Sequence, residues 1–422
     1  MITVGLDFGT HQTKVCIEDK KGVETHYKFM KFKDLNGLEQ YTLPSTLCIA
    51  DDGKISYGYL SPKSTEKIIR YFKQAVFLNH DSEDMKLFEA ACYSIWYIAY
   101  ILFDLEEIYG QDFSIQMGAP TDSSRLDDVK AIAVTILASA YRLVEDVFKN
   151  NKNAFLNTNY KSLIKKTEII PYSDKVKNDY GIFVFPEAYA CLKPMIGRGK
   201  VSEGMSLIID IGGGTTDISF FTIEDGRPQV YDFFSINKGL NYLSKTDQIT
   251  SFRRKAKSEL KEITYIDTER KQIYNREIHE KCDKLIAKLK SEFSSQTKLK
   301  MFRLNNALKN RPLIYTGGGS MFGSLQFTYS GFIEKHQISY DNWKSKLFDD
   351  VSVFEFADLC PILSTAYGLS ISVATDNIRK KPFRDLFENI RGATEDKPYH
   401  KKDYNGTGLS DFDYGVDDDA WK

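Results

Sequence analysis

The chain has 422 residues, enough for more than one domain, and its 42% hydrophobic and 27% charged residues make an ordinary globular balance. A net charge of -1 excludes an overall electrostatic draw toward nucleic acid or an anionic membrane, and neither is expected as a partner. The six cysteines are scattered with no CxxC pair, which argues against a zinc site or thioredoxin-like motif and fits a reducing, cytoplasmic setting.

The N-terminus opens directly on an apolar strand with no basic and apolar leader, so no signal peptide is expected. Alternation predicts strands over 2–8, 12–19 and 24–32, with a turn at Lys20-Lys21-Gly22. A helical stretch is expected over 64–77, and a long apolar-periodic helix over 85–109, closed by Gly110. Its most apolar run, 90–105, is shorter than a membrane span and contains Asp104, so it reads as a core helix. A strand over 113–118 ends at Pro120, and Thr121 to Ser124 form a capping group for a helix over 126–147. The polar stretch 150–159 reads as a loop, and 181–185 as a strand ending at Pro186-Glu187.

The pattern then restarts. Strands are predicted over 206–212, 216–224 and 228–236, the last two joined by the hairpin signal Glu224-Asp225-Gly226-Arg227. A charged helical zone spans 247–308, and a strand over 312–316 opens into Gly317-Gly318-Gly319-Ser320, which should precede a helix. A small-residue helix is expected over 364–375, and the polar tail from 395 reads as disordered. Three antiparallel strands followed by helix-strand-helix units, written twice, is an α/β design whose duplicated lobes leave a cleft for a ligand.

Two aspartate-glycine turns carry the chemistry. Asp7-Phe8-Gly9-Thr10 follows the first buried run, and Asp210-Ile211-Gly212-Gly213-Gly214-Thr215-Thr216-Asp217 follows Ser206 to Ile209. Glycine lets several backbone N–H groups converge on one anion, and the threonine hydroxyls add donors. A carboxylate beside a polyphosphate is repelled unless a cation lies between them. The pair Asp7 and Asp210 therefore points to Mg²⁺-nucleotide, with the metal held through water. The glycine run at 317–319 suits a phosphate or the flat face of a base, yet it fits neither the Rossmann nor the P-loop spacing.

These motifs, in this order, resemble the superfamily of actin, sugar kinases and heat-shock chaperone ATPases, and most closely the nucleotide-binding domain of DnaK-type, seventy-kilodalton heat-shock chaperones. The resemblance implies an actin-like ATPase fold of two duplicated ribonuclease-H-like lobes. The first would cover 1–205, completed by a crossing helix near 364–390, the second 206–363, and a disordered tail 391–422. Residues 4–10 look like that family's first phosphate loop and 207–219 like its second. Gly318-Gly319-Ser320 resembles its adenosine motif, and Ala366-Tyr367-Gly368 its helix crossing between lobes.

By the same resemblance, the expected ligands are ATP or ADP with Mg²⁺. Asp7 and Asp210 would position metal and water, Glu187 would orient or deprotonate the attacking water, and Lys73 would contact the γ-phosphate. Gly9, Thr10, His11 and Gln12 would line one side of the phosphates, with His11 a loop donor where the family carries smaller or aromatic residues. Residues 212–217 would line the other side. Gly239 is what remains of a second-lobe glycine- and acid-rich pattern, Lys257 best matches a helix lysine that contacts adenosine, and Phe322 stands where the chaperones place an arginine on adenine. The residues after Gly368 are mostly polar without strand alternation, so no client-binding β-domain is expected. The function so implied is a slowly hydrolysing ATPase whose lobe closure is read by a protein partner. The alternatives are an actin-like, self-associating filament protein and a nucleotide-sensing scaffold.

Overall fold

The computed structural model describes residues 1–61, 66–78, 85–120, 124–195, 204–224, 227–244, 266–292, 313–327, 335–337 and 359–373. Strand β1 (Ile2–Asp7) pairs on one side with β2 (Gln12–Lys21), which pairs with β3 (Glu24–Phe29), all antiparallel. On its other side β1 runs parallel to β4 (Phe113–Ala119), itself parallel to β5 (Ile182–Pro186). Both faces of β1 are covered, which is why its sequence is a continuous apolar run.

The second sheet repeats this plan. Strand β6 (Gly204–Ile211) pairs antiparallel with β7 (Thr216–Glu224), which pairs with β8 (Arg227–Ile236). On the far side β6 is parallel to β9 (Leu313–Thr316), and β9 to β10 (Lys335–Gln337). The orders β3-β2-β1-β4-β5 and β8-β7-β6-β9-β10 are the same order, which is the duplicated arrangement of the actin-like fold. Asp7 closes β1 and Asp210 is the penultimate residue of β6, so both stand at the carboxyl ends of equivalent central strands. Crevices outside such strand ends are where α/β sheets bind ligands.

Helix α1 (Phe72–Leu78) leads into α2 (Leu87–Tyr109), and α3 (Leu126–Arg142) packs beside them. The 23-residue α2 is long and apolar enough to cross a membrane by length and composition, but its Trp96, Tyr97 and Ile98 are fully buried in the first core. A short helix α4 (Glu187–Ala190) carries the chain toward the second sheet. There α5 (Leu240–Ser244) and α6 (Thr268–Glu292) build the second core around Tyr274, Ile278 and Cys282.

Helix α7 (Cys360–Ser370) returns between the lobes. Its small residues let it approach closely. A Cβ on Gly368 would lie 1.8 Å from the carbonyl oxygen of Ala190 in α4, so the two passages between lobes touch backbone to backbone. Leu363, Ala366 and Tyr367 then join Phe29 of the first sheet to Ile208 and Phe233 of the second in one apolar cluster.

Several local expectations differ from what forms. The helix expected over 64–77 is a strand, Lys67–Ile69, followed by α1, because Tyr71 adopts a left-handed φ of 62° that separates them. The helix expected over 126–147 turns π-helical at Leu143–Val147, and its start at Arg125 has no side-chain cap; Thr121, Asp122 and Ser123 lie outside the described residues. The stretch 150–159 is not simply loop: Asn151 and Asn159 cap short helices Lys152–Leu156 and Tyr160–Lys166. The run 317–320 opens a short 3₁₀ turn, Gly318–Met321, where a full helix was expected. Most of 247–308 and the whole polar tail lie outside the described residues.

If the contact between α7 and α4 holds the lobes together, Gly368→Ala forces two backbones apart and destabilises the protein by about 2–3 kcal/mol. Urea unfolding measures this, and a loss below about 0.5 kcal/mol would refute the close approach.

Candidate functional site

The two aspartate-glycine turns face one another across a single cleft. On the first side, the β1–β2 turn presents Asp7, Gly9, Thr10, His11 and Gln12. It is held by Ser45, whose hydroxyl donates to the Gly9 carbonyl at 2.6 Å. On the second, the β6–β7 turn presents Asp210, Gly212, Gly213, Thr215 and Asp217. The Gly212 N–H donates to the Thr215 carbonyl at 2.9 Å, and the start of α5 anchors the turn through Asn241 N–H to the Gly213 carbonyl, also 2.9 Å. The turns nearly touch. A Cβ on Gly213 would lie 1.9 Å from His11 Cδ2, so any larger residue there would require the imidazole to shift.

Other anticipated residues take supporting positions. Gly214 packs on Thr10, and Gly239 lies under the carbonyls of Gly212 and Gly213. Thr216 is fully buried; its hydroxyl donates to the Lys238 carbonyl and accepts from Tyr274 Oη, both at 2.8 Å. Gly317 and Gly318 line the cleft, with Gly317 backed directly onto Asp210. Gly319 packs on Ile211. The Ser320 hydroxyl donates to the Gly317 carbonyl at 2.7 Å and accepts from Gln337 Nε2 of β10 at 3.1 Å. Phe322 packs against the second core and does not line the cleft. Lys257 lies outside the described residues.

Lys73 and Glu187 meet in the same cleft, although 114 residues separate them in the chain. Lys73 Nζ donates to Glu187 Oε1 at 2.5 Å, with both side chains at least nine-tenths buried. Two further residues escaped sequence reasoning. Lys14 sits directly opposite Asp7 in the β1–β2 register, and its Nζ donates to Asp7 Oδ2 at 2.8 Å. That pairing was readable, since the turn length sets which residues of a hairpin face each other. Thr365 on α7 donates to Asp210 Oδ2 at 3.1 Å, a contact across 155 residues that no local pattern announces.

Four carboxylates (Asp7, Glu187, Asp210 and Asp217) thus share the cleft with two lysines, Lys14 and Lys73. The imbalance shows in their proton affinities. Burial, then the charges of Glu187 and Asp7, push the Asp210 carboxyl up to about 7, against the opposing pull of Lys14 and the Thr365 hydroxyl. Burial also raises Glu187, with Lys73 opposing it. Asp217 is raised well above the carboxylate range by burial and by Glu187 and Asp210, although Thr215 donates to it at 3.0 Å. Among the described residues no three His, Cys, Asp or Glu side chains converge into a ready-made metal site. What exists is a surplus of buried carboxyl groups over lysines beside two glycine-rich turns, which suits a cation that arrives with an anionic ligand.

No family model matches the chain, and no curated protein matches it by sequence. The crystal structure of an archaeal actin homolog is similar over 92% of this chain and 99% of its own, at 14% identity and a TM-score of 0.37.

The raised Asp210 carboxyl has a signed consequence. It binds a proton more readily folded than unfolded, so its contribution to stability is full below about 3.8 and is lost as pH rises through about 7. Asp210→Asn removes that loss. Between about pH 5 and pH 8 the ligand-free parent should lose on the order of 2–3 kcal/mol more stability than the variant. Denaturant midpoints across that range test it, and parallel curves for the two proteins would contradict it.

Proposed function

We propose that the cleft binds a magnesium–nucleoside triphosphate, ATP by the motif resemblance, and hydrolyses it slowly. One observation carries this reading: equivalent strand ends of two sheets present carboxylate–glycine turns across a single cleft whose buried carboxylates outnumber its lysines. The turns at 9–12 and 212–215 suit phosphate oxygens through backbone N–H groups other than those of Gly9 and Gly212, which donate to the Asp7 and Thr215 carbonyls at 3.0 and 2.9 Å. Asp7 and Asp210 suit the water shell of Mg²⁺, which supplies neutralisation of phosphate charge when bound. Gly317 and Gly318 line the cleft on the side proposed for the nucleoside.

The Lys73–Glu187 pair is the reactive element of the proposal. A terminal phosphate draws Lys73 toward its oxygens, where a fixed cation offsets the charge of phosphoryl transfer. Glu187 Oε1, relieved of its partner, accepts a proton from the attacking water as the new P–O bond forms and the bond to the departing diphosphate breaks. Burial, by raising Glu187's proton affinity, strengthens it as a base.

Nucleotide state then sets how tightly the lobes close, and a protein surface reads that closure. The reader is a separate partner in the DnaK-like version and a second copy of the chain in the actin-like version. The DnaK-like version rests on loop residues alone, and the actin-like version is at least as well supported.

Titration calorimetry with ATP, with and without Mg²⁺, tests the ligand. Mg²⁺-dependent binding is expected, with Asp210→Ala abolishing it and Lys73→Ala retaining it while lowering turnover by about 100-fold. Absence of binding by the parent, or an Asp210→Ala protein indistinguishable from it, would end this reading. Sedimentation with ATP separates the two outputs, since only self-association pellets the pure protein.

A further inference from the structure

Tyr71 is the residue at which local sequence rules fail most plainly. Among the described residues only Tyr71, Lys149 and Asn150 are non-glycine residues at positive φ, and Tyr71, at 62°, is the bulkiest. A large aromatic in the left-handed region is strained, and such strain persists where the surroundings require it. Two requirements converge here. The Tyr71 ring meets the His11 imidazole edge-on, with centroids 5.8 Å apart and planes at 72°. The Tyr71 carbonyl accepts the Ala75 N–H at 3.0 Å and so begins the first turn of α1, which carries Lys73 two residues later.

The two outputs of this turn reach opposite walls of the cleft. His11, backed by Tyr71, presses on Gly213 of the second lobe. Lys73 reaches Glu187, with its ammonium 5.9 Å from the ring centre of Phe8 in the first turn. We infer that Tyr71 is a positioning residue that couples the His11 contact with the second lobe to the placement of Lys73, so that the cleft distinguishes a nucleoside triphosphate from a diphosphate. This inference rests on the nucleotide reading above. A phosphate entering between the turns must move His11 off Gly213. Because His11 bears on Tyr71 and Tyr71 opens α1, that movement passes to Lys73 as it leaves Glu187 for the terminal phosphate. A diphosphate, lacking the group that draws Lys73, engages the unit only in part.

The chemistry of the position supplies its own controls. Glycine adopts positive φ without strain and asparagine tolerates it, so Tyr71→Gly and Tyr71→Asn keep the turn and remove the ring, whereas Tyr71→Phe keeps the ring. Binding of MgATP and MgADP to parent and variants is measured by calorimetry. The ratio of the two affinities should fall about tenfold in Tyr71→Gly and Tyr71→Asn and stay near the parent's in Tyr71→Phe. His11→Ala should lower the ratio similarly, and adding it to Tyr71→Gly should cost nothing further. A parent that binds nucleotide, with the ratio unchanged in Tyr71→Gly and Tyr71→Asn or with both affinities weakened equally, would overturn this inference alone. A parent that binds neither nucleotide would remove the function reading, and this inference with it.

Discussion

Mutual repulsion among Asp7, Glu187, Asp210 and Asp217, buried together at the seam between two sheets, is the constraint around which the rest of the molecule is arranged. Buried charges cost several kcal/mol each unless paired. This cleft pairs them only partly, through Lys14, Lys73 and the hydroxyls of Thr215 and Thr365. Burial and the residual imbalance raise the proton affinity of Glu187, push Asp217 well above the usual carboxylate range and bring Asp210 up to about 7. A fold that keeps such a cluster carries a site under electrostatic tension, and such tension is typical of places that bind a cation or move a proton.

The duplicated topology explains how that cluster is assembled. Each sheet carries an aspartate at or next to the carboxyl end of its central strand, and the two turns meet because α7 and α4 tie the lobes together side by side. The tie is also chemical. The Pro361 carbonyl at the start of α7 accepts the Gly317 N–H at 2.8 Å and the Thr316 hydroxyl at 3.0 Å, and one turn on, Thr365 reaches Asp210. A change in the cleft therefore bears on the helix that joins the lobes. A few contacts between packed elements can in this way become a rigid-body closure.

Much of this was legible in the amino-acid order because the informative features are local. Buried central strands read as apolar runs, and a glycine-rich turn after each marks a phosphate-sized cradle whatever surrounds it. Lys14 was legible in principle from the hairpin register, yet it hides in a strand pattern that also explains it. Thr365 and the Lys73–Glu187 pair were not legible as contacts, since each joins segments more than 100 residues apart whose meeting depends on the packed fold. A motif places Ser320 and Phe322 in the chain, but their neighbours come from the packed fold: the Ser320 hydroxyl donates to the Gly317 carbonyl, and Phe322 packs against the second core. Tyr71 broke an expected helix because tertiary contacts overrode local propensity.

The central claim is that two equivalent turns, one from each lobe, grip a single ligand at once. Hydrogen–deuterium exchange with and without Mg²⁺-ATP tests it most directly. The account predicts that the backbone amides of 10–12 and 213–215 become protected together, at the same nucleotide concentration, because neither turn alone makes the site. Protection confined to one turn, or appearing at different concentrations in the two, would contradict it.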